Sequence, residues 1–161
     1  MILVQVWQPS PWIIGNSQDK ECRLPLRTNP VLYEINTWVW LADLSERYGR
    51  PVTLANVPAE VFDELKGWHL DAVWMMGVWE RSTRGRQTAL EHEGLQFEYE
   101  QALPGYTPEL VVGSPYAVHR YVVDDRLGGR DGLASFWAQL REHGIGLILD
   151  YVPNHVAIDH P

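Results

Sequence analysis

Residues 144–161 read GIGLILDYVPNHVAIDHP, and the fold class follows from how this stretch is built. Ile145 to Leu149 is a near-continuous apolar run, the pattern of a parallel-sheet strand covered on both faces. The run then stops on polar residues. Asp150, Asn154 and His155 follow at close spacing, with Pro153 stiffening the backbone between them. Polar side chains released at the carboxyl end of a buried parallel strand are where α/β architectures place their chemistry, so this stretch reads as part of an active site.

Working outward, Leu133, Phe136, Trp137 and Leu140 fall at i, i+3, i+4 and i+7. They predict a helix capped by Asp131 and ended by Gly144, with Arg141 and His143 in the last turn, where positive charge suits the helix dipole. Residues 72–79, AVWMMGVW, read as a second buried strand. Residues 31–41, VLYEINTWVWL, are rich in β-branched and aromatic side chains after Asn29 and Pro30 and read as a first strand. Between these two, a helix is predicted from about Pro58, with Val57, Val61 and Leu65 on one face and a stop at Gly67. The order is βαβαβ.

An insertion at residues 80–130 separates the second strand from the last helix and is far longer than an ordinary βα connection. Arg86 to Leu103 has helical composition interrupted at Gly94, and YAVHRYVV follows among turn signals. Because the insertion leaves the carboxyl end of a strand, it belongs on the same face as Asp150 and His155, as a rim or lid. Residues 1–30 form an extension with no assigned function, in which only residues 2–7 suggest a short strand.

Composition bounds the function. The chain has 161 residues, the length of one domain, and its 45% apolar content with eight tryptophans supports a core. A formal charge of −8, with only Lys20 and Lys66 beside the arginines, argues against nucleic acid as a partner. No run reaches the ~18 apolar residues of a membrane span, and the amino terminus lacks the charged flank of a signal peptide. Cys22, the single cysteine, fits a reducing compartment. The chain is therefore read as soluble and cytoplasmic, with no membrane partner.

DYVPNH at the end of the third strand resembles the first short signature of the alpha-amylase superfamily of glycoside hydrolases. VLYEINTWVWL is similar to that family's first barrel strand, and GSPYAVHRY followed by LGGRDGLASF to the segment leading into its second helix. The resemblance covers residues 31–161 and implies a (β/α)8 TIM barrel, of which about three βα units are present. It implies retaining hydrolysis or transfer at α-glucosidic bonds of an α-glucan or α-glucoside, in carbohydrate metabolism. It also implies that the nucleophilic Asp, the acid Glu and a further Asp belong to later strands, so no catalytic residue falls in this chain and the chain alone is expected to be inactive.

What the resemblance assigns here is a half-set of contacts. Tyr116 matches the tyrosine that stacks on the sugar ring at the cleaved bond, and His155 the histidine that hydrogen-bonds the same sugar. Asp150 matches a supporting aspartate that orients an arginine from a later strand. Asn154 matches an asparagine that binds structural calcium in many members; no cofactor is otherwise required. Arg120 departs from the pattern, since many members have Asp before the tyrosine matched by Tyr121.

Read from the residues alone, other assignments stay open. Asp150, His155, Asp159 and His160 could ligate a catalytic metal in a barrel hydrolase, and a non-catalytic carbohydrate-binding remnant is a third class. Glu80, beside Arg81, reads as a surface ion pair. Glu91, Glu93, Glu98 and Glu100 read as a solvated helix face, Asp124 and Asp125 as a turn, and Trp38, Trp40, Trp74, Trp79 and Trp137 mostly as core. Three parallel strands cannot close into a barrel, so the third is expected to expose an unpaired apolar edge and to make the isolated piece poorly soluble.

Overall fold

A computed structural model describes the backbone of Leu3–Val6 and residues 27–161. Cys22 and Lys20 lie outside the described residues.

The elements in chain order are β1 (Leu3–Val6), β2 (Leu32–Asn36), α1 (Thr37–Tyr48), α2 (Ala59–Gly67), β3 (Ala72–Met76), β4 (Trp79–Arg81), α3 (Thr83–Glu91), α4 (Glu93–Ala102), β5 (Val118–Val123), α5 (Gly129–Glu142) and β6 (Gly146–Tyr151). The main sheet runs β1-β6-β3-β2. Strands β2, β3 and β6 are parallel, with Ile35 opposite Met75 and Met75 opposite Leu149.

The strand expected at residues 31–41 ends at Asn36, and its second half is the start of α1. The reason is a change of period: Thr37, Leu41 and Leu44 are buried at helical spacing, and this outweighs the β preference of the tryptophans between them. Gly49, at φ 62°, closes α1 in the left-handed conformation. The strand at 72–79 likewise ends early, at Met76, because Gly77 at φ 77° turns the chain into a separate strand. That strand, β4, pairs antiparallel with β5 in a second sheet.

The insertion is helical as expected, but its break falls at His92 rather than Gly94. His92 is extended, and its Nδ1 accepts the Leu95 N–H at 3.3 Å, capping α4. α5 starts at Gly129, ahead of Asp131, because Gly128 at φ 105° supplies the left-handed entry; Asp131 sits in the first turn and does not cap.

Alternation along the strands gives the main sheet two different faces. Ile35, Val73, Met75, Leu147 and Leu149 point to one face and join a buried cluster with Leu41 and Leu44 of α1, Val61, Phe62 and Leu65 of α2, and Leu133, Phe136 and Leu140 of α5. Glu34, Trp74, Ile148 and Asp150 have the opposite parity. That second face leads to the site.

The expected open edge on the third strand is not there. β1 pairs antiparallel with β6, Leu3 opposite Tyr151 and Val6 opposite Ile148, so the amino-terminal extension covers that edge. The other edge strand, β2, does carry exposed apolar side chains, Leu32 and Tyr33 at 47% and 43%. No helix among the described residues is long and apolar enough to cross a membrane.

Candidate functional site

Asp150 ends the buried run of β6 and is itself only 3% exposed. A buried carboxylate persists only where donors replace water, and three groups from β3, the turn after it and β4 meet this residue. Its Oδ1 accepts from the Trp74 indole at 2.7 Å and its Oδ2 from the Gly77 N–H at 2.9 Å. Its backbone carbonyl accepts from the Trp79 indole at 2.8 Å. Trp74 and Trp79, read from sequence as core, are thus the residues that fix the aspartate.

Gly77 is the hinge of this arrangement. Besides its N–H, its carbonyl accepts from the Trp38 indole at 3.2 Å and from Arg81 at 3.4 Å. A Cβ there would lie 2.6 Å from Arg81 Nη2 and 2.9 Å from Pro115 Cβ, at a positive φ. Gly77→Ala is expected to cost about 1 to 3 kcal/mol from backbone strain alone, with a further loss from displacing Arg81. In urea unfolding, Gly67→Ala is the control, because nothing lies within 4 Å of that position. Equal midpoints for Gly77→Ala and wild type would remove Gly77 from this role.

The insertion brings Tyr116 and His155 together. Residues 114–117 form a turn, in which the Ala117 N–H donates to the Ser114 carbonyl at 3.2 Å. The Tyr116 hydroxyl donates to Met76 Sδ at 3.3 Å, at the tip of β3. His155 Nε2 contacts the Tyr116 carbonyl at 3.1 Å. Burial, then the charges of Asp150 and Glu34, push the Tyr116 phenol above its ordinary pKa, so it stays a neutral donor. Tyr116, His155 and the Asp150 strand end therefore form one cluster, drawn from segments far apart in sequence.

Asn154 is exposed, and no three His, Cys, Asp or Glu side chains among the described residues are placed to hold a metal ion. Nor do the four residues weighed as metal ligands converge. Asp150 is held by Trp74 and Gly77, Asp159 accepts from Thr83 and Arg84, and His160 Nδ1 lies 2.9 Å from the Pro161 carbonyl.

Glu80 does form an ion pair, but with Arg120 across the β4–β5 register, at 2.7 and 3.1 Å. Arg81 turns inward instead. Its guanidinium donates to the Gly113 carbonyl at 2.6 Å and lies over the Trp38 ring. Burial brings its pKa down to about 10, opposed by Asp124, so it keeps its charge at neutral pH. The sequence offered no sign of this, because adjacent side chains on a strand point opposite ways. Beyond this wall, α3, α4 and residues 108–117 border a cavity of about 570 Å³ lined by Leu95, Tyr99, Tyr106, Val111 and Ala117.

No protein-family model matches the chain. Over 94 residues it is 35% identical to a protein carrying the name maltooligosyl trehalose synthase in Mycobacterium tuberculosis, strains CDC 1551 / Oshkosh and H37Rv. That match covers 48% of this chain and 12% of the relative. Among solved structures, Amy13B of Eubacterium rectale matches with a TM-score of 0.50 at 18% identity, over 82% of this chain and 20% of that one. The likeness to Amy13B is one of fold. The chain thus spans about an eighth of its named relative and a fifth of Amy13B. Both findings agree, over part of the chain, with the resemblance to the alpha-amylase superfamily.

Proposed function

We propose that this chain is one part of an alpha-amylase-like glycoside hydrolase that acts on α-glucosidic bonds with retention of configuration. The observation that carries the reading is the meeting of Tyr116 and His155 beside the anchored Asp150, at the carboxyl ends of parallel strands. In it, the Tyr116 ring packs against sugar C–H groups and His155 hydrogen-bonds a sugar hydroxyl. Asp150, locked by two N–H donors, is a fixed acceptor that an arginine from elsewhere in the enzyme would read. The nucleophile and the acid, ~5 to 5.5 Å apart in retaining enzymes, are supplied from outside these residues, and a calcium at Asn154 would need oxygen ligands from outside them as well. The partial coverage of the relatives supports this division of labour.

The test uses the full open reading frame that contains this chain, assayed on maltooligosaccharides. His155→Ala is expected to lower kcat/KM by roughly 10- to 100-fold, the equivalent of losing about 1.5 to 3 kcal/mol of hydrogen bonding, with little change in melting temperature. Tyr116→Ala should also lower it. The 161-residue chain alone should show no turnover. Unchanged kinetics in both variants would refute the reading, and sugar binding without hydrolysis by the full protein would favour a binding role.

A further inference from the structure

The segment that follows β6 and carries His155 has little apolar anchorage. Of residues 152–161 only Val152 and Ala157 are buried, and Ile158 is 86% exposed. Its order must therefore come from polar ties; besides the His155–Tyr116 contact itself, the described residues show three. The Val152 N–H donates to the Tyr121 hydroxyl at 2.9 Å, and that hydroxyl donates back to the Val152 carbonyl at 3.1 Å. The Ala157 N–H donates to the Val118 carbonyl at 3.2 Å. These two ties both reach β5.

The third tie is a side chain. Asp159 Oδ2 accepts from the Thr83 hydroxyl and from the Arg84 N–H, each at 3.1 Å, in the first turn of α3. Its other oxygen, Oδ1, faces His119 Nδ1 on β5 at 3.7 Å. Both of those atoms are shut off from solvent and have no other partner. One carboxylate thus ties the His155 segment to α3 and lies against β5. The neighbouring Ser82 hydroxyl, then the Arg84 N–H and the Thr83 hydroxyl, hold Asp159 well below the usual carboxylate range. It is charged at neutral pH, and bonds to a charged acceptor are roughly twice as strong as neutral ones.

We infer that Asp159 is a positioning residue: by fastening residues 152–161 to α3, it holds the His155 ring against the Tyr116 carbonyl. Its functional meaning rests on the proposed role of His155 in sugar contact, but the geometric claim stands apart from that role. The ties at Val152 and Ala157 flank His155 but both end on β5; the Asp159 tie, two residues beyond Ala157, fixes the segment to a second element, α3. An asparagine at the position keeps an oxygen for the Thr83 and Arg84 donors, loses the charge and puts an NH2 group where the second oxygen faces His119.

The experiment is backbone relaxation NMR on the 15N-labelled 161-residue chain, with nuclear Overhauser contacts between the His155 ring and residues 116–118. In wild type, residues 153–158 should show rigid order parameters near ~0.85, falling below ~0.6 in Asp159→Ala, with loss of the ring contacts. Asp159→Asn should restore most of both. A purely global stabilising role would lower the melting temperature and leave the order parameters of these residues unmoved, and that result overturns the inference. Should Asp159→Ala give no dispersed spectrum, Thr83→Val, which removes one donor, must move the same signals part of the way or the inference fails. Titration with maltohexaose separates the two ideas. Signals that respond to Asp159→Ala but not to sugar uphold the tie and count against the sugar site.

Discussion

Asp150→Ala should destabilise the protein by about 2 to 6 kcal/mol in urea unfolding. The truncation strands two donors, the Trp74 indole at 2.7 Å and the Gly77 N–H at 2.9 Å, and each buried donor without a partner costs about 1 to 3 kcal/mol. Asp150→Asn separates charge from shape. Its amide offers one acceptor where two are needed and turns an NH2 group toward a donor, so roughly half of the loss is expected. The same variants should lower the Tyr116 phenol pKa, since Asp150 is one of the charges raising it, though burial keeps it above its ordinary value. Both variants unfolding within about 0.5 kcal/mol of wild type, the range of ordinary surface changes, would show that the carboxylate does not organise the β3 tip.

The second large effect lies in the helix layer. Phe136 is 1% exposed and sits between two aromatic rings, Phe62 at 5.4 Å and Trp40 at 5.8 Å between centroids. Phe136→Ala removes both contacts and leaves a cavity between α1, α2 and α5. The expected cost is about 3 to 5 kcal/mol. Phe97→Ala is the matched control, because Phe97 is 67% exposed and its loss should stay within about 0.5 kcal/mol. Similar unfolding midpoints for the two variants would mean that the core assignment of α5 is wrong.

Phe136 also illustrates what could be read directly from sequence. α5, α2 and β6 each carry an apolar period, long or dense enough to identify the element, and their buried residues match that period. Where two signals competed, composition misled. Residues 37–41 look like strand by residue type and are helix by spacing, and only the burial of Thr37, Leu41 and Leu44 decides between them. Residues 79–81 could not be seen as a separate strand, because its partner, β5, lies beyond two helices. The candidate site was legible in its members but not in its supports. Tyr116, His155 and Asp150 were marked by the family-like motif, whereas Trp74, Gly77 and Trp79 earn their roles through hydrogen bonds that no local pattern encodes. Arg120, a departure from that motif, has its reason across the sheet in Glu80.

The bond between Trp74 and Asp150 joins residues 76 positions apart. At ribosomal speeds of about 5 to 20 residues per second, the tip of β3 would wait roughly 4 to 15 seconds for its acceptor during synthesis. In that interval β2 and β3 can already pair, with α1 and α2 between them, while two indoles and a glycine amide at the strand end remain hydrated. Arrival of β6 therefore completes the sheet and the site in a single late step, and the site is a reporter of finished folding. A nascent chain stalled before Asp150 would hold a paired β2–β3 ladder with the Trp74 indole and the Gly77 N–H still facing water.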